Sequence, residues 1–117
     1  MKNTFFGFAI SDGMFSGNVT LQRTELNIDQ VREIIRDLGD NLLVACNPSH
    51  QATITAMRER FGIEVKIPEK APTIRLEGGD TLIVMQTRGL PRLEGRHEYT
   101  AEEINGAKFT FARWSVQ

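Results

Sequence analysis

His50 sits in the run Asn47-Pro48-Ser49-His50-Gln51-Ala52-Thr53, directly after the apolar stretch Leu42-Leu43-Val44-Ala45-Cys46 and directly before a helical pattern. A strand that ends, turns on Asn-Pro and opens a helix places His50 in that helix's first turn. Backbone N–H groups there lack intrahelical partners and the helix dipole is positive, so the position attracts phosphate. A titratable imidazole beside an anion site is what phosphodiester chemistry needs. A polar first-turn residue with no chemical duty would leave the same local pattern. The surrounding residues have to decide.

Arg88, Arg92, Arg96 and His97 fall within ten residues, in a segment interrupted by Gly89, Pro91 and Gly95. The whole chain carries a net charge of only −1. A basic loop on a near-neutral protein fits a small anionic ligand better than a long polyanion, although a solvated loop would look the same. Other chemistries lack their residues. His50 and His97 share no metal-ligand spacing, and Cys46 stands alone. Gly78-Gly79-Asp80 lacks the following Lys-Ser/Thr of a phosphate loop and reads as a turn. A serine nucleophile at Ser11 or Ser49 would need an elbow motif that is absent.

What remains is acid–base work by His50 with arginine and carboxylate partners from residues 88–98. That set suits strand cleavage in which the substrate's own 2′-hydroxyl attacks phosphorus. The reaction needs no metal or cofactor, only positioning, a proton donor for the leaving 5′-oxygen and cations on the phosphate. His50 would be the donor. Arg88 or Arg92 would hold the phosphate bidentately, which a lysine could not do. Glu94 would orient the 2′-hydroxyl.

The elements that must hold these residues follow from patterning. With 117 residues, 40% hydrophobic and 25% charged, the chain can build one core in one domain, residues 1–117. No apolar run is long enough to span a membrane and the first residues lack a signal-peptide pattern, so a cytoplasmic protein is expected. Cys46 ends an apolar strand and is expected as a buried thiol. Residues 4–10 and 18–23 read as strands. Asn27 with Gln30 three residues on is a capping box; Ile28, Val31, Ile34, Ile35 and Leu38 follow at helical intervals and Gly39 closes the segment.

Residues 41–46 read as a central strand. Residues 48–60 read as a helix with Pro48 at its first position after an Asn47 cap, Thr53, Ile54, Met57 and Phe61 on one stripe, and Gly62 at its end. Residues 73–77 and 81–86 read as a hairpin around Gly78-Gly79-Asp80. Thr100 and Glu103 repeat the capping-box spacing before a short helix, and residues 108–116 alternate as a closing strand. The order β-β-α-β-α-β-β-α-β predicts an α/β single domain, a mixed β-sheet of about five to six strands flanked by helices.

Five features recur, in the same order, in the viral ring nucleases that act as type III anti-CRISPR proteins and in their cellular relatives, which the chain resembles over nearly its whole length. They are the turn Ala9-Ile10-Ser11-Asp12-Gly13-Met14, the helix start His50 to Thr53, the strand Gly79-Asp80-Thr81-Leu82-Ile83-Val84, the loop Arg92-Leu93-Glu94-Gly95, and Tyr99-Thr100-Ala101-Glu102-Glu103-Ile104. The loop is one residue shorter than the family's Arg-Leu-Pro-Glu-Gly, with Pro91 ahead of it, and Phe8 and Gly13 stand where the family has asparagine.

The resemblance implies a small α/β homodimer that binds cyclic tetra-adenylate, a signal of type III CRISPR defence, and cleaves it without metal into linear di-adenylate. It implies His50 as general acid, Arg92 and Glu94 as the catalytic loop pair, and Ser11 as the family's turn serine. Ser49, Thr53 and Arg88 complete the expected substrate-binding set. The expected partners are a cyclic oligoadenylate and a second copy of the chain, with no membrane and no stable duplex nucleic acid. Two other readings stay open: a non-catalytic binder that sequesters a cyclic nucleotide, and a nucleic-acid- or protein-binding regulator on the same scaffold. Near-neutral charge weakens the nucleic-acid version.

Overall fold

Side chains alternate across a strand, and in β1 (Thr4–Gly7) this sends Phe6 into one core cluster and Phe5 into another. β4 (Thr81–Arg88) does the same, with Ile83 and Met85 on the first side and Leu82 and Val84 on the second. An unbroken apolar run here means a strand covered on both faces. β1 pairs in parallel with β4 on one side and with β3 (Leu42–Val44) on the other. β5 (Lys108–Val116) is antiparallel to β4 and to β2 (Leu21–Leu26), giving the order β2-β5-β4-β1-β3. The computed structural model describes residues 2–70, 72–88 and 100–117. Over these the chain is a single α/β domain on a five-stranded mixed sheet. Among the described residues no helix is long and apolar enough to cross a membrane.

The first face of the sheet is covered by α1 (Ile28–Leu38) and α2 (Gln51–Phe61), whose Val31, Ile54 and Met57 join Phe6, Ile83, Met85 and Phe111. α3 (Ala101–Asn105) packs on α2. Both predicted capping boxes form. Asn27 Oδ1 accepts from the Gln30 N–H at 2.8 Å while Gln30 Oε1 accepts from the Asn27 N–H at 2.8 Å. Thr100 and Glu103 repeat the exchange at 3.2 and 2.9 Å. Gly62 ends α2 in the left-handed region at φ +63°, which a side chain would strain.

The strand predicted over residues 18–23 is found at Leu21–Leu26, with Val19 exposed ahead of it, and the sheet departs from the predicted one in two larger ways. Residues 73–77 form no strand and no hairpin with β4. Ile74 and Leu76 alternate because one side of an extended segment lies over the second face, where Leu76 is buried. The segment is tied by the Leu76 N–H donating to Met14 O at 2.8 Å, while β4 finds its partners in β1 and β5. The turn that follows is held by Asp80, a buried carboxylate accepting from the N–H groups of Asn3 and Glu77, each at 2.9 Å.

The second departure is β3, predicted central but found at the sheet edge with Leu43 exposed. Its apolar run continues past the strand as packed loop. The Ala45 N–H donates to Phe6 O at 2.7 Å and Cys46 is wholly buried beyond it.

Burial pushes the Cys46 thiol up from 9.0 to about 12, because an apolar surrounding penalises the thiolate. With the folded value above the unfolded one, this contribution to stability is complete below pH ~9 and is lost as pH rises towards about 12. Between those limits the thermal midpoint of the wild type is expected to fall more steeply with pH than that of Cys46→Ala. Circular dichroism melts at stepped pH measure the two slopes, and equal slopes would count against a buried neutral thiol.

Candidate functional site

Parallel pairing brings the carboxyl ends of β1, β3 and β4 to one edge of the sheet, the place where open α/β sheets bind ligands. The segment after β3 reaches α2 through a tight turn. Asn47 Oδ1 accepts from the Ser49 N–H at 3.0 Å and from the Ser49 hydroxyl at 2.8 Å, and the His50 N–H donates to Asn47 O at 3.2 Å. An Asn side chain bonding two residues ahead makes such a turn in place of a helical start. Pro48 is therefore outside the helix, and His50 is its N-cap rather than a first-turn residue.

The N-cap position changes what His50 can do. Its carbonyl accepts the Ile54 N–H at 3.0 Å, while its own side chain makes no capping hydrogen bond. The imidazole beside the helix start is half-buried. Thr53, also half-buried, lies three residues on and on the same side of the helix. This end of α2 combines a positive dipole and a titratable ring. Phe8, just past β1, meets that ring edge-on, with centroids 6.4 Å apart and planes at 76°. The sequence marked Phe8 only as a departure from asparagine; its contact with His50 depends on β1 and β3 being paired.

The other expected residues divide. Ser49 is exposed and its hydroxyl is engaged by Asn47. Ser11 is exposed and borders a groove of about 570 Å³ with Phe15, Leu21 and Trp114. Those neighbours pack on the second face of the sheet, whereas Phe8 packs with the cluster beneath α2. One chain therefore does not bring Ser11 and His50 together on one face. Arg88 ends β4 and is exposed opposite Lys108, with no carboxylate partner among the described residues. Alternation from Leu82 and Val84 puts Arg88 on the second face as well. Arg92, Glu94 and His97 lie outside the described residues.

A second groove, of about 710 Å³, follows the open edge of β3 between Ile35, Leu42, Val44, Val65 and Ile67, and His50 is not among the residues that line it. Among the described residues no group of three or more His, Cys, Asp or Glu could hold a metal ion.

No protein-family model matches the chain, and no curated protein matches it. Among solved structures it is similar to B116 of Sulfolobus turreted icosahedral virus. The TM-score is 0.67 at 19% sequence identity, over 97% of this chain and 98% of that one. At that identity the likeness is one of fold, and it extends over both chains almost end to end.

Proposed function

We propose that this protein is a metal-independent ring nuclease that opens a cyclic oligoadenylate, with cyclic tetra-adenylate as the first candidate, and so counters or tunes type III CRISPR signalling. The observation that carries the reading is His50 at the N-cap of α2, on the side of the sheet where the parallel strands end. The recurring motifs in the sequence support it, and a fold shared with a virus protein is consistent with it.

In the reaction, a ribose 2′-hydroxyl attacks the adjacent phosphorus, forming the P–O2′ bond as the P–O5′ bond breaks. The hydroxyl proton passes to Glu94, and the imidazolium of His50 delivers a proton to the leaving 5′-oxygen. Arg92 carries the charge that builds on the phosphoryl oxygens. A cyclic tetranucleotide has a two-fold axis available, and a C2 dimer would present one His50 to each of two opposite linkages. The site of action on this reading is the cytoplasm. The test is incubation of the pure protein with cyclic tetra-adenylate in EDTA followed by chromatography. Binding without product would favour the sequestering reading instead.

The face taken by Arg88 bears on which arginine holds the phosphate. Because β4 turns Arg88 away from the α2 side, Arg92 is the better candidate. Arg92→Ala is expected to lower kcat/KM roughly 10- to 100-fold, the value of a charge-assisted hydrogen bond. Arg88→Ala should change it by no more than about threefold on the same scale. The reverse order in steady-state kinetics would move the phosphate role to Arg88.

A further inference from the structure

A general acid must hold its ring toward the leaving oxygen, and a hydrogen bond to the other ring nitrogen usually does this. Among the described residues no hydrogen bond or ion pair reaches the imidazole of His50. Its backbone is fixed, with the N–H donating to Asn47 O at 3.2 Å and the carbonyl accepting from Ile54 at 3.0 Å. The remaining freedom is rotation of the side chain between its staggered wells. Phe8 stands against that rotation. Its ring is half-buried, packed on the core cluster beneath α2, and edge-to-face with the imidazole at 6.4 Å.

We infer that Phe8 is the positioning residue of His50, holding the imidazole in one orientation where other sites use a hydrogen bond. Phe8 closes one side of the imidazole with an apolar wall that is itself anchored in the core. The consequence for turnover rests on the ring-cleavage reading; the contact itself does not.

The test is proton NMR of the His50 imidazole in the wild type, Phe8→Leu and Phe8→Tyr, with His97→Ala assigning the chain's two histidines. The wild type should show cross-peaks between the two rings and His50 resonances displaced by the Phe8 ring current. Phe8→Leu should return those resonances toward their positions in an unstructured peptide, and Phe8→Tyr should restore the displacement. On cyclic tetra-adenylate, Phe8→Leu should lower kcat roughly 3- to 10-fold, the range an edge-to-face pair is worth, with KM held within about twofold. Unchanged His50 resonances in Phe8→Leu, or no ring-to-ring cross-peaks in the folded wild type, would overturn the inference. So would a raised KM at constant kcat. A wild type that cleaves nothing would sink the ring-nuclease reading, while the resonances would still decide the role of Phe8.

Discussion

His50→Ala is expected to keep the fold and the binding of cyclic tetra-adenylate while losing roughly 10²–10⁴-fold of its cleavage, the usual value of a general acid. The fold should survive because the side chain of His50 caps nothing and is only half-buried. Binding should survive because the helix amides that would receive phosphate belong to the backbone. Single-turnover kinetics with a parallel binding isotherm separate the two effects. Near-wild-type cleavage would make His50 a plain N-cap residue. A matching loss of circular dichroism would make it structural.

Phe6→Ala is expected to produce the largest loss of stability. Phe6 is fully buried in β1, between the parallel strands β3 and β4, and it packs into the cluster that α1 and α2 share. Removing a buried phenyl ring costs about 3–5 kcal/mol through lost transfer energy and the cavity left behind. Against a total of roughly 5–15 kcal/mol, that brings a domain of this size close to unfolding at ordinary temperature. Urea denaturation should show a lowered midpoint with little change in slope. A shift worth less than about 1 kcal/mol would mean the core can collapse around the gap.

What could be read from the residues alone was what is decided locally. The two capping boxes are examples, since Asn27 with Gln30 and Thr100 with Glu103 need only each other. Gly62 as the end of α2 is another. Strand partnership is non-local, and there the reading failed. Ile74 and Leu76 alternate as a strand would, yet they serve a segment laid across the sheet. The apolar run from Leu42 to Cys46 was consistent with a central strand, but it ends as loop beside β1, with Ala45 half-buried and Cys46 buried, and the strand itself is the edge.

The candidate site divides in the same way. His50 was visible because strand, turn and helix are consecutive in sequence. Its exact role at the helix start was not, because Asn47 bonds to Ser49 and delays the helix to Gln51. The contact of Phe8 with His50 was hidden because it forms only once β1 and β3 pair. Ser11 and Arg88 were expected around one ligand with His50, and within one chain the neighbours of Ser11 and the alternation of β4 put both on the second face of the sheet.

The central claim is that this chain opens a cyclic oligoadenylate by 2′-hydroxyl attack without a metal. The most direct measurement is mass analysis of the products after incubating cyclic tetra-adenylate with the wild-type protein in EDTA. The account predicts linear di-adenylate with a 5′-hydroxyl at one end and a 2′,3′-cyclic phosphate at the other. An intact ring recovered after prolonged incubation with folded protein, or cleavage that requires added divalent metal, would contradict it.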